Sequence, residues 1–570
     1  MWQFNRVWLF VAICALAPMA VVCSSKNEGA DDTGGSGPGG EAGVSAQTGG
    51  MAGAAVGGVG GIVGSGGNAA GVGGLTVGGA GGGAVTGAGG SDVVDPSGWG
   101  ACQNIAVPPG VAIRLQPLMP TPKVASKCLP AGGGLSRTLN LLQTSTPQRR
   151  HRVRILYYGQ SITRDAANAP NEWFKQTTKW LQQKYPNADI ATDMLAVGGF
   201  GAKEMQGPSR MDLPAFYPDL ILWQNYGGYL DMDETLRWWR THISAEIAMQ
   251  TWHCGGGEKV LDTQNGNERM SYIYIPDLAK RFGAEVIDIR TPWRERWNAQ
   301  NNAANQLTVD GIHLAVLGSQ WYAEFNENYL KYDAAVPVDP LKTVKTVIVG
   351  SDLKWVGNKL TMSFQGNRVE VLAQPGSNTA AGAADVRIDG KKPSEFPDAY
   401  TFTRPNGDTD ADWPWKTAAP SGIDYAALRV LEDWTLTINS ITYGGQVTCA
   451  FSVAGSVTKA DGSGTCGQKF VSTSGRVVIE PAAWAHLASA KSLNSMSTVM
   501  VGTQYRWKVL PLHADKYPQG TLNASDTTRE SWTTLVSGIP NGSHTLELTA
   551  TGATPPPLSE IRIYRPPLGR

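Results

Sequence analysis

The sequence shows no excess of charge of either sign. Lys and Arg total 48, Asp and Glu total 48, and the formal net charge is zero. Proteins that bind nucleic acid normally carry a basic excess or a basic patch, so we predict no nucleic-acid partner. The apolar run Val7–Val22 is too short to predict a membrane span, and a proline interrupts it.

This apolar run is instead typical of an export signal occupying residues 1–23. Arg6 precedes it, and it ends at Cys23, which two serines follow. The pattern resembles a bacterial lipoprotein signal, in which the cysteine is lipidated and becomes the new N-terminus. We therefore expect an exported protein. It is either attached to the outer membrane or cell surface through Cys23, or freely secreted.

Cysteine is scarce, with only 7 residues in the chain. Four of them form two pairs that are close in sequence, Cys102 with Cys128 and Cys449 with Cys466. In the oxidising environment outside the cytoplasm, such local pairs predict two disulfides. Of the other three, Cys14 and Cys23 belong to the predicted signal, and Cys254 is left over.

Aromatic residues are absent between residues 31 and 90, and charges are few there. The segment 24–98 is dominated by Gly, Ala, Val and Ser, and it cannot bury enough apolar surface to offset its ordering entropy. Glycine does not recur at every third position, which excludes collagen. We interpret 24–98 as a flexible tether.

The remaining chain divides into three parts. Residues 99–150 precede the first core region, and they contain the predicted disulfide between Cys102 and Cys128. In 151–335, apolar runs alternate with amphipathic stretches, which predicts an α/β domain with a parallel sheet. The predicted strands are Val153–Tyr158, Ile190–Val197, Leu220–Gln224, Glu246–Trp252 and Glu285–Ile289. Helices are predicted from about Trp173 to Lys184, at Pro276–Phe282 and at Ser319–Leu330.

Residues 343–570 contain short apolar runs between turn residues, which predicts an all-β sandwich or jelly roll. The segment Cys449–Val478 suggests an inserted sub-domain. The closing stretch, with Thr545–Leu548 and Ile561–Tyr564, resembles the last strands of galactose-binding-like domains. Trp413 and Trp415 lie in an acidic, Pro-flanked loop, where they either bind sugar or cover the edge of the sheet.

Two short motifs in 151–335 carry the candidate chemistry. The first predicted strand leads into Gly159-Gln160-Ser161, and ligands of open α/β sheets bind at the carboxyl ends of strands. Asp310 and His313 lie three residues apart near the end of the same region. A serine nucleophile needs a base, and the base needs a carboxylate to orient it. Taken singly, each motif is also compatible with a helix cap.

In this order, the two motifs resemble the SGNH/GDSL hydrolase family, with Gly-Gln-Ser where the family usually has Gly-Asp-Ser. The resemblance implies a flavodoxin-like three-layer α/β/α domain. It also implies Ser161 as nucleophile, His313 as general base and Asp310 as the residue that orients it. The implied oxyanion donors are the N–H of Ser161, Gly199 (with Gly198 as the alternative) and Asn225. Asn225 comes earlier than the family's asparagine, so this third donor is either Asn225, or replaced by Gln224 or Tyr229, or absent.

Other polar and aromatic residues follow the predicted strands. His253 and Cys254, together with His313, suggest a metal, but their spacing does not match a zinc signature. We therefore predict no metal and no cofactor. Trp223, Trp252 and Trp293 are either sugar-stacking platforms or ordinary core residues.

Together these features predict a serine esterase that removes O-acetyl groups from an acylated polysaccharide. Export, the many tryptophans and the β-rich C-terminal region favour the sugar substrate. Two alternatives remain: a lipid or aryl esterase on the same scaffold, and a catalytically inactive surface protein that binds carbohydrate.

Overall fold

The computed structural model describes residues 100–101, 127–129, 133–164, 171–262, 265–377, 382–407, 418–443, 447–485, 487, 499–519 and 527–569. All of them belong to the compact unit that contains Val93–Arg570. Several predictions lie outside the described residues: the signal at 1–23 with Cys23, the tether at 24–98, and the positions Cys102, Trp413 and Trp415. Within the described ranges, no helix combines the length and apolar composition needed to cross a membrane.

The first part of the fold alternates strands and helices, as the sequence predicts. Its strands are β1 (Gly100–Ala101), β2 (Lys127–Cys128), β3 (Arg152–Gly159), β4 (Asp189–Ala196), β5 (Leu220–Gln224), β6 (Glu246–Gln250) and β7 (Glu285–Ile287). Its helices are α1 (Ser136–Thr144), α2 (Trp173–Lys184), α3 (Gln206–Phe216), α4 (Tyr229–His242), α5 (Gly266–Arg269), α6 (Ile275–Phe282), α7 (Arg290–Gln300), α8 (Ala304–Leu307) and α9 (Val316–Tyr329). A π-helical turn, Met270–Tyr274, joins α5 to α6.

Strands β3 to β7 form a parallel sheet in the order β4-β3-β5-β6-β7. This is the doubly wound order 2-1-3-4-5, whose ligand sites lie at the carboxyl ends of the strands. Alternate residues of β3 enter different cores. Ile155 and Tyr157 pack with residues of α2 and α9, whereas Leu156 and Tyr158 pack with residues of α3 and α4. Helices therefore cover both faces of the sheet.

The predicted boundaries differ from the observed ones at the carboxyl ends of two strands and at the start of α9, which begins at Val316, three residues before the predicted Ser319. β6 ends at Gln250 and β7 at Ile287, each two residues before the end of the predicted run. Trp252 and Ile289, which lie beyond these ends, are buried in the loops that follow, so apolarity alone could not reveal where each strand stops. Gly283, in the left-handed conformation (φ 58°), ends α6 as predicted.

The C-terminal part consists of separate antiparallel sheets. Its strands are β8 (Val344–Ile348), β9 (Lys359–Ala373), β10 (Ala384–Ile388), β11 (Tyr400–Phe402), β12 (Asp433–Tyr443), β13 (Val447–Gly455), β14 (Lys459–Thr465), β15 (Phe470–Val471), β16 (Val478–Ile479), β17 (Gln504–Pro511), β18 (Lys516–Tyr517), β19 (Trp532–Ala550) and β20 (Leu558–Tyr564). One sheet has the order β18-β10-β19-β9-β20-β8, and another has the order β11-β17-β12-β13-β14.

Most of the segment Cys449–Val478 continues the second sheet, and its last part forms a separate two-stranded sheet of β15 and β16. It supplies most of β13 and all of β14, which continue the ladder from β12. The disulfide between Cys449 and Cys466 is present, with a Cα–Cα distance of 5.3 Å, and it joins β13 to the residue that follows β14. Cys128 is also disulfide-bonded, although Cys102 lies outside the described residues.

A buried ionic cluster connects the parallel sheet to the six-stranded sheet. Glu370 of β9 is fully buried, and its carboxylate lies 2.7 Å from Arg152 Nη2, 3.7 Å from Arg154 Nη1 and 2.6 Å from Arg368 Nη2. The Tyr564 hydroxyl donates to it as well, at 2.6 Å. Burial alone would raise the pKa of Glu370, but the three arginines hold it well below its usual range. The cluster lies at the amino end of β3, opposite the end at which Ser161 follows.

Substituting Glu370 tests how strongly this cluster joins the two parts. Glu370→Gln leaves three arginines without their shared carboxylate, and breaking a buried ion pair in this way costs about 3–5 kcal/mol. The matched control is Glu547→Gln, which breaks the exposed pair with Lys359, where a loss below about 1 kcal/mol is expected. Denaturant unfolding followed by fluorescence measures both. Equal losses in the two variants would contradict the structural role of Glu370.

Candidate active site

Ser161 lies on a tight turn at the carboxyl end of β3. A side chain at Gly159 would begin 2.1 Å from the carbonyl oxygen of Gln224 and 2.3 Å from Thr163 Oγ1, so only glycine fits there. The turn closes through the N–H groups of Thr163 and Arg164, which both donate to the carbonyl of Gln160, at 2.9 and 3.0 Å. Close packing between β3 and β5 therefore determines where the serine lies.

Asp310 and His313 lie on a short hairpin. The N–H of Val309 donates to the carbonyl of His313 at 2.8 Å. Asp310 Oδ1 accepts from the backbone N–H groups of Ile312 and His313, at 3.0 and 2.7 Å. Gly311 has a φ of 86°, which favours glycine. The aspartate thus holds together the turn that carries the histidine.

The structure brings the three predicted catalytic residues into one hydrogen-bonded chain. His313 Nδ1 lies 2.6 Å from Asp310 Oδ2, and His313 Nε2 lies 2.9 Å from Ser161 Oγ. The hydrogen bond from His313 lowers the pKa of Asp310 to about 2, so the carboxyl is ionised at neutral pH. The side chains of His313 and Asp310 are 35% and 51% exposed, which makes the site open to solvent. This arrangement can activate a serine hydroxyl as a nucleophile.

The predicted oxyanion residues follow β4 and β5, at the same sheet edge as Ser161. The N–H of Val197 donates to the carbonyl of Gly159 at 3.2 Å, which brings the turn containing Gly199 beside the nucleophile turn. Gly199 has a φ of 73°. Asn225 is 2% exposed, and neither atom of its side-chain amide has a hydrogen-bond partner among the described residues. A buried amide without a partner is costly unless a ligand completes its bonding.

The two alternatives to Asn225 differ in their hydrogen bonding: the Nε2 amide of Gln224 is buried without a partner among the described residues, whereas the Tyr229 hydroxyl is engaged elsewhere. Gln224 Oε1 accepts from Thr163 Oγ1 at 3.4 Å, within the packing between β3 and β5. The Tyr229 hydroxyl donates to Asp277 at 2.7 Å and accepts from Arg281 at 2.8 Å, on the surface between α4 and α6. Asn225 and Gln224 therefore each keep an unpartnered amide donor, whereas Tyr229 does not fit the role.

The three tryptophans considered as sugar platforms are core residues. Trp223 is 2% exposed and Trp293 is 0% exposed, and each packs edge-on against other aromatic rings. Trp252 is 7% exposed, and its indole N–H donates to the carbonyl of Asn225 at 2.9 Å. A sugar ring needs an open aromatic face, so these residues cannot act as stacking platforms.

His253 and Cys254 each contact a backbone carbonyl group. Among the described residues, no three His, Cys, Asp or Glu side chains gather as metal ligands. His253 Nε2 instead contacts the backbone carbonyl of Ile312 at 2.8 Å. Cys254 is buried, which raises the pKa of its thiol to about 12. Sequence reasoning weighed His253 only as a metal ligand and missed this contact, although its position after a strand placed it at the correct sheet edge.

No protein-family model matches this chain, and no curated protein matches it. Among solved structures it is similar to a two-domain esterase active on acetylated mannans, at 11% identity and a TM-score of 0.30, covering 76% of this chain and 96% of that one. It is also similar to the acetyl xylan esterase AlAXEase, at 16% identity and a TM-score of 0.28, covering 31% and 98%. An acetyl xylan esterase variant from Geobacillus stearothermophilus matches at 15% identity and a TM-score of 0.28, covering 33% and 100%. Similarities this low do not place the chain in a family.

Replacing Gly159 tests the packing that positions Ser161. In Gly159→Ala the new methyl group must displace the backbone of β5, since the nearest atom is a carbonyl oxygen at 2.1 Å. We expect a stability loss of about 1–3 kcal/mol and a larger proportional loss of activity. Gly257→Ala is the control, because nothing lies within 4 Å of its added carbon. Activity per folded molecule and thermal unfolding are measured. Unchanged activity in Gly159→Ala would show that the serine turn does not depend on this approach.

Proposed function

We propose that this protein is a serine ester hydrolase with Ser161 as nucleophile. The observation that carries the proposal is the continuous chain from Ser161 Oγ through both ring nitrogens of His313 to the carboxylate of Asp310, with distances of 2.9 and 2.6 Å. The ionised Asp310 accepts the Nδ1 proton of His313, which leaves Nε2 to accept the proton of the serine hydroxyl. Such a chain activates an oxygen nucleophile without a metal or cofactor.

In the proposed reaction, Ser161 Oγ attacks the ester carbonyl while His313 takes its proton. The negative charge that develops on the carbonyl oxygen needs preorganised donors. We assign this role to the N–H groups of Ser161 and Gly199 and to the side-chain amide of Asn225. His313 then protonates the departing alcohol, and it later activates the water that releases the acyl group from Ser161.

We propose an O-acetylated polysaccharide as the substrate. The open position of Asp310 and His313 leaves room for a polymer. Export, which the sequence predicts from residues 1–23, would bring the protein to such polymers. The C-terminal region is proposed to bind carbohydrate through Trp413 and Trp415. Deleting this region is a poor test, because it would uncover the arginines around Glu370. The Trp413→Ala/Trp415→Ala variant tests the proposal in the full chain.

One observation favours a second candidate, an esterase for longer acyl chains. On the hairpin, Val309 precedes Asp310 and Ile312 precedes His313, and the two residues are 57% and 53% exposed. Exposed aliphatic side chains beside a nucleophile offer an apolar contact to an acyl chain.

Substituting the triad tests the mechanism. Ser161→Ala and His313→Ala are expected to lower kcat by more than about 10³-fold while the protein stays folded. Asp310→Asn keeps one acceptor for the turn, so we expect a smaller loss, of roughly 10–10³-fold. Since Asp310 stays ionised down to about pH 2, mild acidification is not expected to remove the carboxylate that orients His313. Near-normal turnover in Ser161→Ala would show that another residue is the nucleophile.

A substrate panel separates the two candidate functions. Acetate release from acetylated mannan, xylan and pectin is compared with hydrolysis of acetyl, butyryl and octanoyl esters of a common phenol. The polysaccharide proposal expects acetate release and a rate that falls with chain length. In the Trp413→Ala/Trp415→Ala variant, acetate release from the acetylated polysaccharide should fall, whereas hydrolysis of the acetyl ester of the phenol should not. A preference for octanoyl esters, with no acetate released from any polymer, would favour the second candidate.

A further inference from the structure

His253 lies directly behind the hairpin that carries His313. Its imidazole is 2% exposed, and Nε2 lies 2.8 Å from the carbonyl oxygen of Ile312, the residue before His313. A carbonyl oxygen can only accept, so the proton of His253 is on Nε2 and is donated to Ile312. Burial lowers the pKa of His253 to about 4, which keeps the ring neutral and in this tautomer near neutral pH.

The backbone of His253 is itself tightly held. The Arg290 guanidinium donates to the carbonyls of Trp252 and His253, at 3.1 and 2.8 Å. Arg290 also makes a two-pronged ion pair with Glu268, with both bonds 2.9 Å long, and both side chains are fully buried. A buried, doubly bonded arginine has almost no freedom to move, so the residues it holds form a rigid platform.

A second bond joins the same loop to the hairpin. The N–H of Gly256 donates to the carbonyl of Gly311 at 2.9 Å. A side chain on Gly255 would begin 2.6 Å from that carbonyl oxygen. The loop from His253 to Gly256 therefore binds two consecutive carbonyls, those of Gly311 and Ile312. The side chains of Asp310 and His313 remain available to each other and to Ser161.

We infer that His253 is a positioning residue that fixes the hairpin so that His313 Nε2 stays within hydrogen-bond reach of Ser161 Oγ. This inference rests on the proposed function. Apart from these contacts the tip of the hairpin is exposed, and the side chain of Asp310 is 51% exposed. The hairpin therefore needs a restraint from the interior of the protein. A displacement of about 1 Å in a catalytic group can cost on the order of 10²-fold in rate.

Two substitutions at position 253 separate positioning from bulk packing. In His253→Gln the amide nitrogen can take the place of Nε2 and donate to Ile312, so kcat should stay within about threefold of wild type. In His253→Asn the amide is one carbon shorter and cannot reach, so kcat should fall roughly 10–100-fold with KM nearly unchanged. His253→Leu fills the space without a donor, so its kcat should fall to the same extent. This variant tests the donor even if His253→Asn folds poorly.

The matched control is His513→Asn, at another largely buried histidine, which packs against Tyr400 in the C-terminal part. We expect no change in kcat there. The rate at which a fluorophosphonate labels Ser161 is measured for all variants, together with thermal unfolding. Labelling should slow in His253→Asn and His253→Leu but not in His253→Gln or His513→Asn.

The outcomes distinguish this inference from the proposed function. Suppose that the wild-type protein hydrolyses esters and reacts with the fluorophosphonate, and that His253→Asn and His253→Leu have the same kcat and labelling rate. The positioning role is then wrong and the esterase proposal stands. Equal losses in His253→Gln and His253→Asn would also overturn it, since the donor would then be irrelevant. If wild type neither hydrolyses any ester nor reacts with the probe, the proposed function itself fails.

Discussion

The close approach of β5 to β3 is the constraint on which the candidate site depends. The carbonyl oxygen of Gln224 occupies the space where a side chain at position 159 would begin. This contact makes the chain turn sharply as β3 ends, so that Ser161 emerges at the sheet edge and does not continue the strand. The same edge collects the ends of β4, β5 and β6, because all strands of this sheet are parallel. Residues distant in sequence thus meet around one serine.

Two buried ion pairs restrain the fold at opposite ends of the parallel sheet. Glu370 and its arginines join the amino end of β3 to the antiparallel region. Arg290 and Glu268 lie behind the carboxyl end and hold the loop that supports the hairpin of His313. Buried ion pairs contribute little net stability compared with apolar packing, but they define geometry sharply. Here one defines how the two parts of the molecule join, and the other defines where the candidate base lies.

Asp310 combines a structural and an electrostatic role on an exposed hairpin. One carboxylate oxygen bonds the backbone of its own turn, and the other contacts His313 Nδ1. An aspartate that only oriented the imidazole could rotate freely at such an exposed position. Because the turn occupies Oδ1, the second oxygen is directed at the ring. The two sets of bonds made by the Asp310 carboxylate explain how a site so open to solvent keeps its geometry.

The sequence alone determined the features that depend on local pattern. The five strands of the parallel sheet follow from runs of apolar residues, and the serine and histidine motifs follow from residues adjacent in the chain. Helices α1, α3, α4 and α7 and the single-turn helices α5 and α8 were not predicted. Helix α3 contains Pro214, which obscures its periodicity. Only the tertiary structure decided that Trp223 and Trp293 are core residues, since an apolar ring has the same sequence pattern at a core and at a sugar site. The contact of His253 with Ile312 joins residues 59 positions apart. Such a contact is set by how β6 and the hairpin meet across the fold, and no local pattern of residues encodes that distance.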